Sequence, residues 1–148
     1  MSAQIFTVRL CNWEDARPEA SKIREQVFVF EQGVPLALEM DDRDAGCDHA
    51  LAYSADGMAV GTGRLLPDGH VGRMAVLKEW RGKGVGALLL RTLVEKARQR
   101  RHTSVRLNAQ SYAAGFYRRY GFEVIGPEFM EAEIPHVAMQ RALATPSD

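Results

Sequence analysis

The sequence predicts an α+β domain, a mixed and mostly antiparallel central sheet flanked by helices. Extended and helical segments follow one another in the order βαβββαβαβ. The middle strands are joined by Asp-Gly turns of the kind that close antiparallel hairpins. One strand then runs through a basic, glycine-rich turn into a strongly amphipathic helix. With 148 residues the whole chain, 1–148, suits one domain, long enough to bury a full core.

Ile5 to Cys11 is rich in β-formers and reads as the first strand. Trp13 to Pro18 turns the chain, and Pro18 suits the first position of a helix, where its missing N–H costs nothing. In that helix Ile23, Val27 and Phe30 recur at helical spacing, and Gly33-Val34-Pro35 stops it near Gln32. Residues 33–48 have no periodicity and cluster Glu39, Asp41, Asp42, Asp44 and Asp48, so a surface loop is expected. It is either a solvated acidic loop or a wall that receives a cationic amine. A calcium loop is excluded, because its glycine and final glutamate have no counterpart at the required spacing.

His49–Ser54 and Met58–Leu66 form a hairpin around Ala55-Asp56-Gly57, and Pro67-Asp68-Gly69 turns the chain into strand 71–77. In the next helix Val85, Leu89, Leu93 and Ala97, flanked by Leu90 and Val94, make the buried row, and Arg98, Arg100 and Arg101 meet its negative end. Ser104–Asn108 is the fifth strand. Ser111 caps a short helix through Tyr120, with Gly121 at C′. Phe122–Ile125 is extended, Glu128–Met130 leads to a closing strand at Ile134–Met139, and 144–148 is a frayed tail.

Nineteen basic residues balance nineteen acidic ones, so no global field draws the chain to nucleic acid or an anionic membrane. No apolar run reaches the ~18 residues of a membrane span, and residues 1–11 lack a signal peptide's apolar core, which leaves the cytoplasm as the expected compartment. Cys11 and Cys47 are too few for a disulfide scaffold and are either a redox pair or separate thiols.

The chemistry concentrates at 71–90. Gly82, Gly84 and Gly86 can take φ > 0 and let backbone N–H groups approach a ligand at a helix start, which favours an anion such as a pyrophosphate. A P-loop is excluded because Lys83 is followed by Gly84 and Val85, with no hydroxyl for magnesium. Gly82, Gly84 and Ala87 fit a dinucleotide fingerprint. Its context is wrong, since Lys78 to Arg81 separate strand from glycine and strand 104–110 has no acidic residue for a ribose.

What remains, Arg81-x-x-Gly84-x-Gly86, resembles the acyl-CoA loop of the GNAT N-acetyltransferase superfamily. Strand Met74-Ala75-Val76, Asn108 and the run Phe116-Tyr117-Arg118-Arg119-Tyr120-Gly121-Phe122 resemble the same family in the same order. Arg24, Glu31-Gln32, Glu39, Asp41, Asp44, His49 and Ile134-Pro135-His136 extend the likeness to its small bacterial ElaA-like branch.

The resemblance implies a V-shaped splay between the fourth and fifth strands, 71–77 and 104–109, in which the donor's pantetheine arm lies. It implies acetyl-CoA as acyl donor, no metal, and a cofactor site made of Met74, Ala75, Val76, Arg81, Gly82, Lys83, Gly84, Val85, Gly86, Ala87 and Asn108. The acceptor it implies is a small-molecule or peptide amine; a homodimer stays open.

Acetyl transfer needs a proton for the departing thiolate, and Tyr117 is the best donor, because a phenol with a pKa of about 10 is close to an alkyl thiol. The competing reading is core packing, although Tyr117 lies off the Tyr112, Phe116, Tyr120 row; Tyr120 is the reserve. Glu39 leads as general base, with Glu31, Asp41 and His49 behind it. Glu31, Asp41, His49 and His136 are candidate acceptor contacts, and both histidines have a purely structural alternative. Two functions follow: direct acetyl transfer in a ternary complex, or a silent acyl-CoA-binding module that would keep Arg81–Ala87 without needing Tyr117.

Overall fold

The computed structural model describes residues 5–143, so the expected fraying at 144–148 lies outside the described residues. After β1 (Thr7–Cys11), Asn12 starts the first helix, its side chain accepting the Asp15 N–H at 2.9 Å. Helix α1 therefore runs Trp13–Arg24 with Pro18 inside it, not at its start as expected. The cap and the acidic first turn of Glu14 and Asp15 outweigh the backbone bond that the proline removes.

The chain then widens into a π-helix, Glu25–Glu31. Widening breaks the predicted row: Ile23 and Val27 stay buried, whereas Phe30 is 68% exposed. The stretch expected to be plain loop holds a short helix, α2 (Leu36–Glu39), and a turn at Asp44–Gly46.

Strands β2 (Asp48–Tyr53), β3 (Ala59–Leu65) and β4 (Val71–Val76) pair antiparallel in the order β1-β2-β3-β4. After helix α3 (Val85–Gln99), strand β5 (Ser104–Gln110) pairs with β8 (Ile134–Ala142) in a second sheet, which also carries β6 (Glu123–Val124) and β7 (Phe129–Glu131). Between them α4 (Ala114–Arg119) ends at Tyr120, with Gly121 at φ +89°. Ser111 does not cap it; its hydroxyl donates to Glu128 at 2.8 Å.

The sheets touch at one parallel bridge, His70 to Arg106, where the Arg106 N–H donates to the Gly69 carbonyl at 3.2 Å. Past that bridge β4 and β5 diverge, so a V-shaped notch opens between their C-terminal halves.

Helix α3 closes one face of the sheet. Its predicted row is fully buried, and Leu89, Leu90 and Leu93 alone contribute roughly 1.5–3 kcal/mol each. It lies against β3 where that strand has no side chains: a Cβ on Gly61 would stand 2.9 Å from Leu89 Cδ1, and one on Gly63 would stand 2.9 Å from Leu93 Cδ1. Helix α1 and the π-helix cover the other face, packing Ala16, Ala20 and Ile23 of the first and Val27 of the second against Leu51 and Ala75.

Candidate active site

A cleft of about 1080 Å³ follows the notch, from the start of α3, past the end of β4, to the acidic loop and β8. At the α3 end Gly84 has φ +88° and Gly82 φ +75°, as expected, and a Cβ on either would meet nothing within 4 Å. Gly86 does not take φ > 0: it lies in the first turn of α3, and its bare Cα faces Phe116, which a Cβ would approach to 3.5 Å. The first intrahelical bond runs from Leu88 N–H to Gly84 O at 3.1 Å, so the N–H groups of Val85, Gly86 and Ala87 come before it and point out of the helix. Open space ahead of these donors fits a pyrophosphate. Lys83 is exposed beside the loop and does not line the cleft.

Arg81 has other work. Its Nε donates to Val76 O at 2.9 Å, and its two terminal nitrogens hold Glu31 at 2.5 and 2.7 Å. That clamp ties the π-helix to the end of β4. Glu31 is off the cleft wall, and the hydrogen bonds from Arg81 hold its carboxyl below the usual range.

Strand β4 reaches the notch through a bulge. Thr62 pairs with Ala75 and Arg64 with Gly72, so Arg73 and Met74 together oppose Gly63. Arg73 takes φ +50°, and Gly63 leaves room for Met74, whose Sδ would lie 2.7 Å from a Cβ there. Beyond the bulge, Leu77 N–H donates to Val60 O at 2.9 Å, on the β3 side. Strand alternation then turns the N–H and C=O of Val76, and the N–H of Met74, toward the notch. All three of the expected trio line the cleft: Met74 and Val76 turn backbone donors toward it, while Ala75 pairs with β3 and packs under α1.

Asn108 lines the opposite wall on β5. Tyr117 lines it from α4, edge-on to Phe116 at 5.0 Å and to Phe122 at 6.0 Å. Burial pushes its phenol up to about 12. It therefore stays protonated, with its hydroxyl as a hydrogen-bond donor.

Most of the acidic loop's carboxylates are paired with arginine, while Asp42 is exposed on the cleft wall. Glu39 Oε1 accepts from Arg24 Nε, and Asp44 Oδ1 accepts from Arg24 and Arg64 at 2.8 Å each. Both oxygens of Asp41 are held by Arg64 at 2.9 and 2.7 Å, and Arg73 donates to Glu39 O at 3.0 Å. Three arginines from α1, β3 and β4 thus neutralise three carboxylates, with Glu39 and Asp44 6% and 5% exposed. Hydrogen bonds from Arg64 hold Asp41 far below the carboxylate range. Glu39 lines the cleft, but protonating it would break a buried ion pair, which disfavours the base role expected for it.

His49 is 1% exposed and outside the cleft, its Nε2 donating to Asp44 O at 2.8 Å and its ring 4.8 Å from Trp13. Burial pushes its pKa down, and it is structural, not an acceptor contact. His136 does line the cleft, from β8. Sequence reading missed the partners Arg64 and Arg73. It also missed the amide pair Gln32–Gln110, closed at 2.9 and 3.3 Å, which spans the notch from the π-helix end to β5. The one local signal for the arginines was a dense acidic stretch beside strands carrying inward basic residues.

A family model described as "Acetyltransferase (GNAT) domain" matches residues 15–143. YjcF of Bacillus subtilis strain 168, described as an uncharacterized N-acetyltransferase, is 36% identical over 132 residues, covering 86% of this chain and 94% of its own. Among solved structures, an acyl-CoA N-acyltransferase from Pseudomonas aeruginosa superposes with a TM-score of 0.82 at 30% identity, over 93% of this chain and 100% of that one. Escherichia coli ElaA superposes with a TM-score of 0.81 at 25% identity, over 93% and 99%. No helix among the described residues is long and apolar enough to cross a membrane.

Proposed function

The chain belongs to the GNAT family of acyl-CoA-dependent N-acyltransferases, and we propose that it moves an acetyl group from acetyl-CoA to a primary amine by direct attack in a ternary complex. The observation that carries this reading is the continuity of one cleft from the bare start of α3, past the outward Val76 N–H, to the Tyr117 hydroxyl. Those are the three things the reaction asks for: an anion seat, a donor to a carbonyl oxygen, and a donor to sulfur.

Gly82 and Gly84 leave backbone N–H groups free to take a pyrophosphate, and Met74 and Val76 offer donors along β4 to an extended arm in the notch. A backbone donor at a developing oxyanion is commonly worth on the order of 10²- to 10³-fold in rate. Tyr117, raised to about 12, stays neutral until charge develops on the sulfur. Asn108 is well placed to bind the arm from β5. The acceptor enters from the side of the acidic loop, where Glu39, Asp41 and Asp44 are ion-paired and the exposed Asp42 on the cleft wall is left to attract a cationic amine.

The test is release of free CoA thiol from acetyl-CoA across amino acids, polyamines, aminoglycosides and peptide amines, beside calorimetric binding of acetyl-CoA. Acceptor-dependent thiol release supports transfer. Tight binding with no release from any amine would instead support the silent binding module.

A further inference from the structure

With Glu39 and Asp41 ion-paired and His49 outside the cleft, the general base has to be sought elsewhere. The geometry points to His136 as the catalytic base that takes the acceptor amine's proton, an assignment that rests on the transferase reading above.

His136 lies on the cleft wall and is 7% exposed. It is the cross-strand neighbour of Gln110 on β5 and of Phe129 on β7, so it shares their face of the sheet. Gln110 is bonded to Gln32 across the notch, which places His136 on the side toward the π-helix and the acidic loop, where the acceptor enters.

Its tautomer follows from its partner. His136 Nδ1 is 2.7 Å from the carbonyl of Ile134, and a carbonyl can only accept, so Nδ1 carries the hydrogen and neutral Nε2 keeps its lone pair. The ring stacks on Phe129 at 5.9 Å, which holds its plane. Among its neighbours from β5 and β7, Gln110, Phe129 and Glu131, only Glu131 is charged. Its Oε2 stands 3.4 Å from Nε2, where it stabilises the imidazolium once a proton has arrived. His49 is built the opposite way: its Nε2 is spent as a donor to Asp44 O, and no lone pair on that nitrogen faces the cleft.

In the step, the amine lone pair forms the new C–N bond and the C–S bond breaks. One N–H proton passes to His136 Nε2. The thiolate takes one proton through the Tyr117 hydroxyl, which regains it from water, and the imidazolium returns one to water, so the cycle closes without net change in the protein.

Two measurements on the full chain decide it. Nitrogen-15 NMR of the histidines near neutral pH, with His136→Asn to assign the signal, should show Nδ1 protonated and Nε2 bare. An Nε2–H tautomer would overturn the proposal whether or not an acceptor is known. In the thiol-release assay, His136→Ala should lower kcat on the order of 10²- to 10⁴-fold with acetyl-CoA affinity unchanged, and added imidazole should restore part of the rate. A folded His136→Ala protein within threefold of the wild-type kcat, or one whose only defect is a higher acceptor KM, would rule His136 out. If wild-type protein releases no thiol, the transferase reading fails, which a failure confined to His136 cannot mimic.

Discussion

Arg81 grips both carboxylate oxygens of Glu31, at 2.5 and 2.7 Å, while its Nε holds the Val76 carbonyl at 2.9 Å. One side chain from the glycine loop thereby joins the π-helix to the residue whose N–H faces the notch. Arg81, expected as a cofactor contact, lines the cleft and also acts as a brace, its nitrogens bonded to Val76 and Glu31.

The brace predicts a matched pair of variants. Glu31→Gln and Arg81→Ala should raise the acceptor KM by similar factors and change acetyl-CoA affinity less than threefold, measured by initial rates and calorimetry. The pair is partly exposed, so its contribution to stability is no more than about 1 kcal/mol. If Arg81→Ala alone weakened acetyl-CoA binding tenfold, Arg81 would be a phosphate ligand after all.

At Gly84 two effects coincide. Any side chain there must adopt φ +88°, at a cost of about 1–2 kcal/mol, and its Cβ would stand in the open space before the α3 donors. Gly84→Val should therefore melt slightly earlier and bind acetyl-CoA at least tenfold more weakly. Unchanged affinity in the folded variant would remove the loop from the cofactor site.

Tyr117→Phe keeps the aromatic packing on Phe116 and Phe122 and loses only the hydroxyl. Turnover should fall on the order of 10²-fold while acetyl-CoA affinity holds. Tyr120→Phe is the control, since Tyr120 also packs on Phe116, at 5.2 Å, and lines the same cleft. A crippled Tyr120→Phe beside a fully active Tyr117→Phe would reverse the roles.

His49 gives the fold an acid-sensitive joint. Burial lowers its pKa in the folded state, so the unfolded chain takes up the proton first, and stability falls as pH drops below the ordinary histidine value of about 6.5. Asp44, which His49 touches, titrates later: burial pushes it up, but the bonds from Arg24 and Arg64 outweigh this, so its contribution is lost only below about pH 4. Thermal melts should show a first loss of stability between pH 6.5 and 5, absent in His49→Gln. Asp44→Asn, which leaves two arginines short of a buried partner, should cost about 3–5 kcal/mol at neutral pH.

Much of this architecture is local, and local features can be read from sequence. The α3 row from Val85 to Ala97 follows from a 3.6-residue period, the hairpin at Asp56-Gly57 from turn chemistry, and the left-handed backbone at Gly82 and Gly84 from the absence of a Cβ. Tyr117 and the glycine loop were found this way, and the cleft brings them together. At the start of α1 the sequence expectation rested on Pro18 alone, and only the packed helix showed that Asn12 caps it. The acidic loop was beyond local reading altogether. Whether Glu39, Asp41 and Asp44 face water or arginine depends on residues 15 to 34 positions away in the chain, and a charge pairs with whichever opposite charge the fold brings within reach. For the same reason the resemblance could offer His49 and His136 alike as acceptor contacts, but only the tertiary structure separated His49, buried outside the cleft with its Nε2 hydrogen given to Asp44, from His136, which lines the cleft with Nδ1 bonded to a carbonyl.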